Sequence, residues 1–480
     1  MTPNITTESA IMSFKVEDLR FPTSLTGDGS DSMNTSADYS AAYVTLRTSD
    51  GQVGYGMTFT IGRGNDIVCS AIEQVAARLV GSRTADLFSA DGMGRMWALL
   101  LADPQLRWIG PEKGVIHIAT GAVVNAVWDM YARSQKKPLW QLISDFSPEE
   151  FVAATTFRYI TDAITPEEAL ELLSSRQAGK KERLEKLLKE GYPAYTTSVG
   201  WLGYDDEKIA RLTREAIGQG FNHFKLKVGS DLPSDKRRLA LLRSIVDDPQ
   251  ECAARPVPTP ESLVGKNAGP TGSVLMVDAN QVWEVQQAVE YMRELTEYKP
   301  WFIEEPTAPD DVLGHASIRK QLKPNNIGVA TGEHAHNRMT FKQLLQAQAI
   351  DVCQIDSCRV AGVNEILAIL LMAAKFGVPV CPHAGGVGLC NMVIHLSIID
   401  FLCVSGTNDR NVLEFVDHLH EHFPYPPSIN QQGAYNIPLN PLEGYSIEMH
   451  EMSKATYTYP TGTYWAGVLT AQEEQVGKTA

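Results

Sequence analysis

The chain has 480 residues, 44% hydrophobic and 21% charged, which fits a globular protein of two or three domains and excludes disorder as its main state. Its 42 Lys and Arg against 57 Asp and Glu leave a formal charge of −15, arguing against nucleic acid or an anionic membrane surface as a partner. The longest apolar run, residues 366–374, is nine residues, far short of the ~20 a membrane span needs.

At the start of the chain, MTPNITTESAIMSFKVEDLR lacks the basic opening and apolar stretch of a secretory signal. Seven cysteines, odd in number, scattered and without a Cys-x-x-Cys pair, read as reduced thiols, so the expected location is cytoplasmic. Residues 14–60 carry short β-like runs at 42–46 and 53–59. Between the first segment and these runs lies a Ser-, Thr-, Asp- and Gly-rich stretch, residues 23–37, expected to be an exposed, mobile loop. Residues 66–145 switch to helical spacing; in GVIHIATGAVVNAVWDMYAR small and apolar residues recur at three and four, the pattern of a closely packed buried helix. The first 150 residues therefore read as α+β.

From 151 onward, apolar or β-branched runs alternate with helical stretches. FNHFKLKVG precedes DKRRLALLRSIV, VLMVDAN precedes VQQAVEYMREL, WFIEEP precedes ASIRKQL, and the pattern continues to PVCPHAGG and CNMVIHLSIIDFL. Strand-then-helix units of ~20–30 residues predict a parallel sheet wrapped by helices, and their number favours a closed β/α barrel. Residues 247–272 are rich in Pro and Gly, without periodicity, and read as a surface insertion at the barrel's N-terminal face, away from chemistry. After about 415 the repeat stops.

Polar residues fall at one place in each unit. Lys225 and Lys227 end one run, Asp278 the next, then Glu304 and Glu305, Glu333, Asp356 and His383, with Glu414 after a later short run. Singly, each has an ordinary explanation: a solvated strand edge for the lysines, a helix cap for Asp278, a solvated turn for the glutamates. Solvated charges have no reason to prefer strand ends, however, and barrel strand ends converge on one mouth.

That set suits one kind of chemistry. Carboxylates from adjacent strands supply oxygen ligands for Mg²⁺, giving a −15 protein the local positive field it needs to hold an organic acid. Removing a hydrogen beside a carboxylate builds a second negative charge, which a metal and an ammonium offset as it develops. A lysine two residues from another, beside a metal, is expected to have a depressed ammonium pKa and serve as base. Asp356 oriented on His383 would fix the ring and support its cationic form.

The chain resembles the mandelate-racemase-type branch of the enolase superfamily. Within it the likeness is to the L-fuconate and fungal L-galactonate dehydratases, carried by FPTSLTGDGSDSMN, MTFTIGRGNDIV, QLRWIGPEKGVIH, YTTSVGWLGY, PWFIEEPTAPDD, CPHAGGVGLC and EFVDHLHEHF. The resemblance covers nearly the whole chain; the insertion at 247–272 departs from it. It implies an enolase-type (β/α) barrel over 151–415, an α+β capping domain with a lid loop over 1–150, and a C-terminal segment over 416–480 packing back on the cap. It further implies Asp278, Glu304 and Glu333 as Mg²⁺ ligands, a choice of Glu304 over Glu305 that periodicity cannot make. Lys227 matches the proton-abstracting base, Lys225 the contact to the substrate carboxylate, and His383 with Asp356 the acid that helps the hydroxyl leave. Gly29, Ser30, Asp31, Tyr39, Asn280 and Glu414 match substrate-binding positions.

The implied activity is dehydration of a six-carbon acid sugar to a 2-keto-3-deoxy acid. L-fuconate and L-galactonate both fit, since they differ by one hydroxyl at the chain end. An epimerase would use the same lysine and histidine without expelling a group, and a silent scaffold would lack a base or a ligand. Barrels of this kind often assemble, so a homo-oligomer is compatible with the sequence. His418, His420 and His422 alternate like a chelate but fall where the chain leaves the barrel, and read as structural. His334 and His336 follow Glu333 in a loop beside the metal site.

Overall fold

The computed structural model describes residues 9–479; the first eight residues, part of the N-terminal stretch and of the cap expected over 1–150, and residue 480 lie outside the described residues. Strands β1 (Ile11–Arg20), β2 (Ser40–Thr48) and β3 (Val53–Thr60) form an antiparallel sheet in that order. The helix Gly114–Ser134, buried around nearly its whole circumference, lies against this sheet. Gly54 and Gly56 make that approach possible: a Cβ at either position would meet the carbonyl oxygen of Ala126 or Ala122 on the helix.

The second layer is a parallel sheet of β4 (Tyr192–Thr196), β5 (His223–Lys227), β6 (Val274–Asp278), β7 (Pro300–Glu304), β8 (Gly328–Thr331), β9 (Val352–Cys353) and β10 (Leu413–Phe415), with β11 (Ala434–Tyr435) antiparallel to β4. Helices follow the strands and cover the outer face while the inner face lines the barrel interior, so β5, β6 and β7 are buried at every residue. Since β10 pairs with β4, the sheet curls into a barrel of the enolase type. Past β9 only single bridges, Cys353 to Val380 and Asp356 to His383, continue the ladder. Side-chain bonds close the seam: the Val412 amide donates to Cys381 Sγ, and the Ala384 amide to the Glu414 carboxylate (2.7 Å).

In several of the loops leaving the strands, acidic or amide residues cap the next helix. Asp205, Asp231, Asp311 and Asn337 accept amide hydrogen bonds from its first turn. Asp278 does not; the helix after β6 begins beyond Glu284, leaving the Asp278 carboxylate free for other work.

Residues 247–272 differ from the surface insertion the sequence suggests. They do cross the barrel's N-terminal end, but Lys266 is 1% exposed, and Leu263 and Ala268 pack against the barrel's interior residues Trp301, Phe302 and Met276. The Lys266 ammonium donates to His223 Nε2 (3.3 Å) and lies over the Trp301 ring, so the segment stoppers the barrel.

Buried polar contacts join cap and barrel. Glu365 accepts from Arg338 and pairs with His117 (2.7 Å), while Trp97 and Trp128 donate to Ala361 and Asn364. The C-terminal stretch returns to the cap: Tyr43 bonds Ile447 and Met449, Tyr459 bonds Asp18, and Trp465 bonds Arg20. All seven cysteines are free thiols, five of them buried. No helix among the described residues is long and apolar enough to cross a membrane.

Candidate active site

A cavity of about 240 Å³ opens at the C-terminal ends of the barrel strands, roofed by the cap. Lys227, Asn280, Glu333, Asp356, His383 and Glu414 line its floor. From the cap come Gly29, Asp31 and Tyr39. The strand ends thus bring together residues far apart in the chain, because parallel strands in one register finish at one level.

Asp278 and Glu304 end β6 and β7 and Glu333 stands two residues past β8, with one oxygen of each within 4.8 Å of the others. All three are buried, and Glu304 Oε1 and Glu333 Oε2 have no hydrogen-bond partner. Burial, and then the charge of Asp278, push the Glu304 carboxyl up to about 8; burial raises Glu333 too. Three hard oxygen donors with orphaned lone pairs, destabilised by their own proximity, fit a divalent cation that prefers carboxylates. Glu305, next in sequence, has φ +44 and turns away, accepting from Gln281 and pairing with His334. Glu305, Glu333 and His334 could also gather a metal by distance, but Glu305 already spends its oxygens on those two neighbours.

The two lysines occupy different depths. Lys227 donates to Asp278 Oδ2 (2.5 Å) and faces the cavity. Lys225 is fully buried behind it, between Glu304 and Glu414 (2.9 Å each) and near the Tyr195 hydroxyl, outside the cavity wall. The second lysine alone does not leave the first depressed: the expectation supposed a metal alongside, and the chain's own carboxylates act the other way. Burial and Lys225 do lower the Lys227 pKa, but Asp278, Glu333 and Glu304 outweigh them and raise it. Carboxylate charge, not ammonium charge, dominates this corner.

His383 Nδ1 lies 2.7 Å from Asp356 Oδ2, so the ring is held in one orientation. Burial works against its charged form, but Glu333, Asp356 and Glu414 lift its pKa to about 10. Nε2 sits between the Gly385 amide (3.2 Å), which suits a bare nitrogen, and Glu333 (3.5 Å), which suits N–H. Glu414 has both oxygens engaged, by Thr197 and by the Ala384 amide, and Lys225 and His383 hold it well below the usual carboxylate range against the opposing effect of burial.

The residues 23–37 are docked rather than free. Gly29 has φ +78, and a Cβ there would strike the Tyr39 ring beneath it. Asp31 accepts from the Met33 and Asn34 amides. Ser30 is 2% exposed and outside the cavity wall, its hydroxyl bonded to Gly27 and Gly203. His418 contacts Tyr39 and Trp201, His420 bonds Val416, and His422 bonds Ser453, so the alternating histidines point to different neighbours and form no chelate. His334 lines the cavity and His336 pairs with Asp310. Trp201, Arg63 and Arg359 also line the cavity without having been expected there; Trp201 and Arg63 stand in the stretches GWLGY and IGRGND, but no spacing marks them.

Residues 23–144 match the mandelate racemase / muconate lactonizing enzyme N-terminal domain, and residues 208–453 match the enolase C-terminal domain-like family. Over 461 residues, 95% of this chain and 96% of the relative, the sequence is 53% identical to an L-galactonate dehydratase of Hypocrea jecorina. It is 50% identical over 465 residues to mitochondrial enolase superfamily member 1 of Homo sapiens, covering 96% of this chain and 99% of that one. The crystal structure of that human protein superposes with a TM-score of 0.88, at 49% identity and the same coverage. The L-talarate/galactarate dehydratase of Salmonella typhimurium, crystallised with Mg and L-lyxarohydroxamate, shares the fold at a TM-score of 0.67 and 21% identity, over 95% of this chain and 94% of that one.

Proposed function

This chain belongs to the mandelate racemase / muconate lactonizing enzyme family of the enolase superfamily, and from that premise we propose that it is a Mg²⁺-dependent hydro-lyase acting on an acid sugar. L-galactonate is the first candidate substrate, after the relative at 53% identity, with L-fuconate the second. The observation that carries the reading is the acid–base pair: Lys227 and the Asp356-oriented His383 face one cavity beside three clustered carboxylates.

In this reading Asp278, Glu304 and Glu333 would hold the cation, which would supply positive charge to offset these carboxylates and the charge that develops on the substrate. Lys227 takes the proton from C2. The His383 imidazolium, stabilised by Asp356, gives its Nε2 proton to the departing 3-hydroxyl, and the resulting enol tautomerises to a 2-keto-3-deoxy acid. Lys225 acts from behind, fixing Glu304 and Glu414 rather than reaching the substrate freely. Asn280, whose side-chain oxygen is buried without a partner, offers an acceptor to a sugar hydroxyl, and Asp31 another. The buried free thiols suit a reducing compartment such as the cytoplasm.

The test is a panel of L- and D-aldonates incubated with and without EDTA and assayed for 2-keto acids. Keto-acid release from L-galactonate or L-fuconate that stops on chelation and returns with Mg²⁺ supports the reading. Stereoinversion without keto acid, or turnover indifferent to EDTA, rejects it.

A further inference from the structure

One short loop after β4, residues 200–204, touches both the lid and the base. On its inner side it is fused to the end of β5. The Lys227 amide donates to the Gly200 carbonyl (2.9 Å), and a Cβ on Gly200 would collide with the β5 backbone. Behind both lies Arg238, 2% exposed, whose guanidinium donates to the carbonyls of Lys227 (2.7 Å), Gly200 (3.1 Å) and Trp201 (2.9 Å). These bonds hold the loop's backbone and leave the Trp201 ring, its Nε1 without a partner, 5.4 Å from the Lys227 ammonium.

The outer side of the same loop holds the lid. The Leu202 amide donates to the Ser30 carbonyl (3.1 Å) and the Gly203 amide to Ser30 Oγ (3.0 Å). The Tyr204 hydroxyl donates to Asp28, and Lys208, stacked over the Tyr204 ring, adds charge near Asp28 (3.8 Å). At the opposite edge Ser32 donates to the Ala279 carbonyl, between Asp278 and Asn280 (2.8 Å).

We propose that Tyr204 and Asp28 are positioning residues that latch the lid to the loop carrying Trp201, so that closing the lid and seating Trp201 over Lys227 are one event. The proposal deepens the acid-sugar reading and rests on it only for the meaning of the rates. Tyr204 touches no reacting atom; it acts through the loop. A hydrogen bond to a charged acceptor is among the stronger ones a protein makes, so losing it weakens closure by roughly tenfold.

Hydrogen exchange of the intact, substrate-free protein tests the coupling in Tyr204→Phe and, from the lid side, Asp28→Asn, which preserves the test if the first variant folds poorly. The expected result is that amides in 23–37 and in 198–206 exchange together about tenfold faster in both variants, while β7 is unchanged. With L-galactonate, kcat/KM falls about tenfold and kcat falls with it, since an unseated Trp201 disturbs the bound complex as well as binding. Faster exchange confined to 23–37, with only KM affected, overturns the coupling; unchanged exchange in both variants overturns the latch. Exchange needs no turnover, so a protein that dehydrates no aldonate would sink the acid-sugar reading, while the exchange rates would still decide for or against the latch.

Discussion

Lys227 and His383 reach the cavity from separate strand-end positions, and against burial neighbouring carboxylates, Glu333 among them, keep both charged. Lys227→Ala is expected to cut turnover of the aldonate by about 10²–10⁴-fold with the far-ultraviolet circular dichroism unchanged, because a positioned base is worth that much. The pH profile tests the acid. Against burial, Glu333, Asp356 and Glu414 raise the His383 pKa, so the ring stays protonated at neutral pH, and its loss of a proton sets the alkaline limb of activity. Asp356→Asn removes one of the charges holding it up, so the alkaline limb of kcat against pH should move to lower pH; an unmoved limb would exclude His383 as the acid. These strand-end groups are legible in sequence because each closes an apolar run. The difference in depth between Lys225 and Lys227 is not, since the place of a side chain behind a strand depends on Glu304 and Glu414, which arrive from far along the chain.

The parallel units β5 to β8 correspond to apolar runs marked by spacing alone, and the likeness to known dehydratases extends from there. The strand β4 escapes such reading, because YPAYT carries no apolar run to mark it. The docking of residues 23–37 escapes it as well: a polar loop reads as solvated whether or not barrel amides await it. Packing between elements gives its own predictions. Gly56→Ala, pushing a methyl into the Ala122 carbonyl, should cost about 1–3 kcal/mol in urea unfolding. At the cap–barrel junction burial pushes the Glu365 carboxyl up, yet His117 and Arg338 outweigh it and hold it at about 2. Its folded pKa lies below the ordinary 4.5, so its stabilisation is complete above that pH and is lost as pH falls from 4.5 toward 2. Glu365→Gln should therefore destabilise at pH 7, by roughly 3–5 kcal/mol, and flatten the acid limb of the melting-temperature profile over that window.

Across the whole molecule, the insertion at 247–272 carries a cost that sequence composition conceals. Pro and Gly mark it as irregular, but nothing in its spacing announces that Lys266 enters the barrel's end. Burial lowers that ammonium to about 8, with no carboxylate in contact to compensate. A depressed folded pKa means the wild type gains stability as pH rises from 8 toward 10.5. Lys266→Met should accordingly melt higher than wild type at pH 7, and the gap should narrow over that range; a lower melting temperature at pH 7 would mean that the contacts to His223 and Trp301 outweigh the desolvation.

The return of the C-terminal stretch to Tyr43, Asp18 and Arg20 bears on how the molecule is made. The cap is translated before the barrel, yet three of its sheet residues find their partners only at Ile447, Met449, Tyr459 and Trp465, beyond the barrel. The nascent cap must wait, its sheet edge unclad, while the entire barrel is synthesised, so a premature stop just after the barrel would injure a part made long before it.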